Sequence, residues 1–186
     1  MRTLSILLFI LLIGCKPEAD LHDTKKIPPQ LHDRYFLTED GLKLPLHRWL
    51  PISGAVRAVI IGVHGFNDYS YFFRQPAEYF RGQGIACFAY DQRGFGAAPQ
   101  RGFWAGREVY APDLQSFVQQ VKQHYPGIPV YLLGESMGGA VVMAAIRNAR
   151  IPPVDGVILA APAVWSRKIM PWYQTSLLWV LSRTVP

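Results

Sequence analysis

Apolar residues follow two rhythms along this chain, and their alternation predicts most of its architecture. The stretches "RAVIIGVHG" (57–65), "IACFAYDQRG" (85–94), "IPVYLLG" (128–134) and "VDGVILAAP" (154–162) carry continuous apolar runs bounded by turn residues. That is the pattern of strands covered on both faces. Between them the period changes. "YSYFFRQPAEYFRGQG" (69–84) predicts a helix that ends at glycines. "REVYAPDLQSFVQQVKQHYPG" (107–127) sets Leu114, Phe117, Val118 and Val121 at helical spacing until Pro126 and Gly127 stop it. "SMGGAVVMAAIRNAR" (136–150) predicts a helix of small residues. Strands and helices in this alternation predict right-handed βαβ units, hence an α/β fold with a mostly parallel sheet and flanking helices. Upstream, "RYFLTEDGLKLPLHRW" (34–49) holds two extended segments around Glu39-Asp40-Gly41, a hairpin that would form an antiparallel edge. No internal repeat or low-complexity tract interrupts the pattern.

Composition adds bounds to this picture. With 186 residues, half of them hydrophobic and 17% charged, the chain can build one domain with a sizeable core. The net charge of +6 invites an anionic partner, but the Lys and Arg residues are scattered and none run longer than two. No nucleic-acid motif accompanies them, so a nucleic-acid partner is not expected. Arg2 and the apolar run "LSILLFILLI" (4–13) are too short for a bilayer core but suit the apolar region of an export signal. Leu12-Ile13-Gly14-Cys15 resembles the bacterial lipobox. The resemblance implies a lipoprotein signal peptide over 1–14, a lipidated Cys15 and an exported, membrane-anchored protein of the bacterial cell envelope. The polar, Pro-bearing stretch that follows, to residue 33, reads as a tether. Cys87, the remaining cysteine, lies in an apolar strand and is expected to pack as a small hydrophobe.

Chemistry is concentrated at Gly134-Glu135-Ser136-Met137-Gly138, a Gly-x-Ser-x-Gly pattern between a predicted strand and a predicted helix. A serine hydroxyl is a weak nucleophile, useful only when held exposed where a base can take its proton. A sharp turn between strand and helix does this, and glycines on either side let the two elements pass without Cβ clashes. The plainer alternative is a serine that caps the helix. A second signal is "VHGF" (63–66), which closes the first buried strand.

Together, "VHGF", "YDQRGFGAAPQRGFW", "DLQSFVQQVKQHYPGIPVYLLGESMGGAVVMAA" and "VDGVILAAPAV" resemble the monoacylglycerol lipase and lysophospholipase group of α/β-hydrolases. That group is also classed with serine aminopeptidase-like hydrolases. The resemblance runs from about residue 34 to 186 and implies the α/β-hydrolase fold. It implies Ser136 as nucleophile, the backbone N–H groups of Phe66 and Met137 as the oxyanion hole, and turn support from His64, Gly65, Gly134 and Gly138. The substrate would be a lipid-like ester, a monoacylglycerol or lysophospholipid, attacked without metal or organic cofactor. Asp91 and Arg93 match a loop motif of the family and are expected to order that loop. Two departures stand out: Glu135, where many members have His, and Ala97-Ala98-Pro99, where a Ser is frequent.

The triad order in this fold is Ser, then Asp or Glu, then His. After Ser136 the chain has no His, no Glu and a single Asp, Asp155, which opens a strand at its amino end. Active-site groups gather at carboxyl ends, so Asp155 is not expected to be the triad acid. His64 precedes Ser136 and is expected to shape its turn. The segment 166–186 resembles the beginning of a cap. The resemblance therefore implies the amino-terminal part of a longer hydrolase, its cap and last strands missing. Two alternatives remain: a non-catalytic lipoprotein scaffold, or a proline-iminopeptidase-like peptidase, which shares the elbow.

Overall fold

A computed structural model describes residues 26–147, 151–164 and 170–184. The export signal, Cys15 and the tether up to residue 25 lie outside the described residues. The chain divides into two units, Leu21–Ala163 and a second comprising Met1–Asp20 with Val164–Pro186.

The first unit is built on one sheet. Its strands are β1 (Gln30–Leu31), β2 (Tyr35–Leu37), β3 (Lys43–Trp49), β4 (Ala58–Val63), β5 (Ile85–Tyr90), β6 (Val130–Glu135) and β7 (Gly156–Ala160), in the spatial order β1-β2-β3-β5-β4-β6-β7. Pairings from β1 to β5 are antiparallel, and the remaining three are parallel. β4 lies between β5 and β6, with Ile61 opposite Phe88 on one side and Leu132 on the other. Its side chains alternate between two cores, Val59, Ile61 and Val63 on one face and Ile60 on the other, so both faces are apolar and the period-2 signal vanishes there. β7 departs from the expectation of a strand covered on both faces, since Val157, Ile158 and Leu159 are exposed among the described residues. The predicted hairpin forms between β2 and β3, its turn closed by the Thr38 amide on the Leu42 carbonyl at 2.9 Å.

The sheet begins sooner than the expected tether boundary at residue 33. Gln30–Leu31 pairs with β2, and the Ile27 amide donates to the Glu39 carbonyl at 2.8 Å. Backbone pairing at an edge needs no apolar alternation, so the polar composition concealed it.

The helices are α1 (Arg74–Gly82), α2 (Arg107–His124) and α3 (Met137–Arg147). The single helix predicted over 69–84 divides into a tight 3-10 turn, Ser70–Phe73, and α1. Pro76 suits the division, since a residue without an N–H is best accommodated in the first turn of a helix, and Pro76 stands in the first turn of α1. Leu114, Phe117, Val118 and Val121 of α2 are all buried with Phe36, Tyr90 and Leu132 in the larger core. The Phe36 and Tyr90 rings lie 5.1 and 4.8 Å from that of Phe117. The other face of the sheet buries Trp49, Ile60, Phe73, Ala77 and Cys87. Burial pushes the Cys87 thiol up to about 12, so it packs as a neutral hydrophobe.

In the second unit, α4 (Trp172–Thr184) follows Pro171, whose carbonyl accepts the Gln174 amide at 3.0 Å. Among the described residues no helix is long and apolar enough to cross a membrane.

Candidate active site

β6 ends at Glu135 and α3 begins at Met137, so Ser136 alone makes the turn. Its φ is 49°, in the left-handed region that costs a side-chain-bearing residue free energy. The turn is held in place through its backbone. The Ser136 amide donates to the Ala160 carbonyl at the end of β7, and the Ser136 carbonyl accepts the Ala163 amide, both at 2.9 Å. The flanking glycines are forced by close approach. A Cβ at Gly134 would stand 2.7 Å from the Gly139 Cα, and one at Gly138 would run into the backbone of Val63. The side chain of Ser136 is half-buried, and among the described residues its hydroxyl has no hydrogen-bond partner. No capping bond therefore supports the plainer reading.

The turn after β4 faces this elbow. A Cβ on Gly65 would lie 3.3 Å from that of Ser136 and would collide with the Glu135 carboxylate, which occupies the space beside it. His64 is fully buried, with both ring nitrogens engaged. Nδ1–H donates to the Gly65 carbonyl at 2.8 Å, and Nε2 accepts the Gln92 amide at 2.9 Å. Gln92 returns a side-chain bond to the His64 carbonyl at 2.8 Å. Those partners define the neutral Nδ1–H tautomer, and burial lowers the pKa below its usual value. His64 therefore ties the ends of β4 and β5 together and has no nitrogen left for proton abstraction. Met137 is buried, whereas the Phe66 side chain stands out in solvent. Among the described residues neither backbone amide donates to a partner, leaving both available to an incoming oxygen.

The loop after β5 is ordered as Asp91 and Arg93 were expected to order it. Asp91 accepts the Ser70 amide and the Ala97 amide, each at 2.8 Å, together with the Ser70 hydroxyl. Arg93 grips two carboxylates. Nε and Nη2 donate to Asp113 at 2.6 and 2.9 Å, and Nη1 and Nη2 donate to Asp40 at 2.6 and 2.7 Å. Burial resists ionisation at both, with different outcomes. For Asp40 the bonds from Arg93 and Thr38 prevail and hold its pKa at about 2, whereas deeper burial pushes Asp113 up to about 6. This cluster joins the hairpin, the loop and α2. Sequence reasoning missed Asp40, Asp113 and Gln92 as partners, although an Asp on the apolar face of α2 was a visible signal.

No described imidazole reaches Ser136. His47 Nδ1 lies 2.8 Å from Ser70 Oγ, His124 Nδ1 bonds the Gln120 carbonyl at 3.0 Å, and His32 stacks on Tyr35. Asp155 sits at the amino end of β7, where its carboxylate accepts the Val130 amide at 2.8 Å. That is the end of the sheet opposite the elbow, as expected. Among the described residues no cluster of His, Cys, Asp and Glu could hold a metal ion. A cavity of about 240 Å³ opens between residues 66–69 and 94–104, next to the turn after β4.

The family model described as serine aminopeptidase, S33, matches residues 54–186. Human monoglyceride lipase is 33% identical over 139 residues, which cover 70% of this chain and 43% of that protein. A phospholipase of Bacillus subtilis is 29% identical over 108 residues, 58% of this chain and 41% of its own. The chain thus spans less than half the length of both curated relatives. Among solved structures, a soluble variant of monoglyceride lipase from Saccharomyces cerevisiae superposes with a TM-score of 0.58 at 24% identity, covering 80% of this chain and 48% of that one. That likeness bears out the α/β-hydrolase fold.

Proposed function

This chain belongs to the serine aminopeptidase S33 family, and within it we propose a serine ester hydrolase of the monoacylglycerol lipase and lysophospholipase type. The observation that carries the reading is Ser136 itself, strained at φ 49° between β6 and α3 with its hydroxyl unengaged. Ser136 Oγ attacks the ester carbonyl, and the amides of Phe66 and Met137 receive the developing oxyanion. Preorganised donors of this kind contribute about 3 kcal/mol each to transition-state stabilisation. Collapse of the tetrahedral intermediate expels the alcohol and leaves an acyl group on Ser136, which water then removes. A lipid-like substrate is supported by the names of the lipases and phospholipase that the chain resembles.

A base must accept the Ser136 proton, and the described residues offer none. That observation favours a second reading in which 1–186 by itself is a non-catalytic scaffold. Hydrolysis of p-nitrophenyl esters and labelling by a fluorophosphonate probe separate the two. Slow turnover with the label on Ser136, both abolished by Ser136→Ala, supports the hydrolase. Turnover that survives Ser136→Ala overturns it, and a chain that neither turns over nor labels is the scaffold.

The reading of residues 1–15 adds a location. Cys15, lipidated and left as the mature amino terminus, would hold the domain at the bacterial envelope membrane. Cys15→Ser is expected to move the protein from the membrane fraction to the soluble fraction after cell lysis.

A further inference from the structure

The cavity next to the turn after β4 has aromatic walls, among them Phe66, Tyr69, Phe95 and Trp104. Phe95 is buried, but Phe66, Trp104 and Tyr69 remain 67%, 57% and 46% exposed. Apolar surface concentrated this way at a concavity marks a binding site. The arrangement of the rings narrows what can bind. Phe66 stands at 76° to Phe95 with centroids 5.5 Å apart, and at 49° to Trp104 with centroids 6.3 Å apart. A flat ring would need two near-parallel faces to stack between. These rings instead pack edge to face or tilted on one another, so none of these pairs takes a flat ring between its members. The aromatic rings left exposed, Phe66, Trp104 and Tyr69, attract a cation at their negative faces, above all a quaternary ammonium.

The same lining holds one carboxylate, Asp68, and one guanidinium, Arg101. Asp68 Oδ1 accepts the Tyr69 amide at 2.8 Å, and Arg101 pairs with no acidic side chain among the described residues. Opposite charges at one cavity match a zwitterion and give a neutral glycerol no advantage. Phe66 links the cavity to the chemistry, since its amide is the proposed oxyanion donor and its ring is a cavity wall. A group held here is therefore the alcohol half of an ester bound at Ser136.

We propose that this cavity is the headgroup subsite for a choline-bearing lysophospholipid, with the quaternary ammonium among the rings beside Asp68 and the phosphodiester at Arg101. The assignment rests on Ser136 as nucleophile only for where the ester lies. Its test is binding, measured by titration calorimetry on the full chain without turnover. Phosphocholine is expected to bind at least about tenfold more tightly than glycerol 3-phosphate, the margin that cation–π contacts to several faces would give. Trp104→Phe should keep this preference, and Trp104→Ala and the isosteric Asp68→Asn should each erase most of it. Arg101→Ala should weaken phosphocholine while leaving choline unchanged. Equal binding of glycerol 3-phosphate, or an Asp68→Asn protein that binds like the parent, overturns the proposal. A short-chain lysophosphatidylcholine below its micelle concentration should bind more tightly than phosphocholine, and equal affinity would overturn the lipid as the source of the headgroup. The two readings fail separately. Phosphocholine binding without Ser136 labelling removes the nucleophile alone, and Ser136 labelling without phosphocholine binding removes this subsite alone.

Discussion

Two serines of this chain stand at opposite extremes. Ser70 is fully buried, with His47 Nδ1 at 2.8 Å and the Asp91 carboxylate on its other side, so the three residue types of a hydrolytic triad are in contact there. Ser136 is half-buried, sits at φ 49° and contacts neither an imidazole nor a partnering carboxylate among the described residues. Yet Ser136 is the proposed nucleophile and Ser70 is held as a strut. The order of the groups decides this. In a working triad the imidazole stands between serine and carboxylate, taking a proton from one side while the other orients it. Around Ser70 the serine is in the middle, donating to Asp91 and accepting from His47, so neither its proton nor its lone pair is available and no substrate can approach. Residue types in contact are therefore insufficient. A nucleophile also needs exposure and an unengaged hydroxyl, which a tight turn creates at the cost of backbone strain.

The comparison breaks most completely if the probe label fails to follow it. Ser136→Ala should lose all fluorophosphonate labelling and Ser70→Ala should lose none, which mass spectrometry of the labelled peptide can read. Next in size is the support beneath the Asp91 loop. Arg93→Ala would leave Asp113 and Asp40 without their shared cation, and breaking a buried ion pair in this way costs about 3–5 kcal/mol in denaturant titrations. A pH titration sharpens the same point. Asp113 is raised from 3.8 to about 6, so the folded form holds its proton more tightly than the unfolded form. The stability it contributes is present in full below pH 3.8 and is lost as pH rises through about 6. Asp40, held at about 2, works in the opposite sense, its contribution being lost as pH falls from 3.8 toward 2. Asp113→Asn should therefore flatten the stability profile between pH 4 and pH 7 and leave the acid limb in place. The smallest effect is at Ser70 itself, where Ser70→Ala removes one donor to Asp91 and should cost about 1–3 kcal/mol.

The elbow was legible in the sequence because its constraints are local. Two glycines flank one serine where a strand period gives way to a helix period, and each of those residues answers to backbone geometry within a few positions of itself. The ion cluster was illegible for the opposite reason. Asp40, Arg93 and Asp113 lie in a hairpin turn, a loop and a helix, separated by 53 and 20 positions, and no periodicity links them. His64 stands between these cases. Chain order argued against its being the base, but only Gln92, 28 residues away, shows that its second nitrogen is engaged.

The sequence by itself determined the α/β alternation, the buried strands β4 and β5, the turn that presents Ser136 and the amino-end position of Asp155, because period and turn chemistry are short-range properties of the chain. It did not determine the burial of β7, whose Val157, Ile158 and Leu159 stay exposed. Tertiary structure alone decided which polar groups meet. It placed Ser70 between an acid and an imidazole, left the Ser136 hydroxyl without a described partner, and stood Phe66 and Trp104 at crossed angles over a charged cavity. Such encounters depend on how loops from distant strand ends converge at one edge of the sheet, and packing of the whole unit sets that convergence.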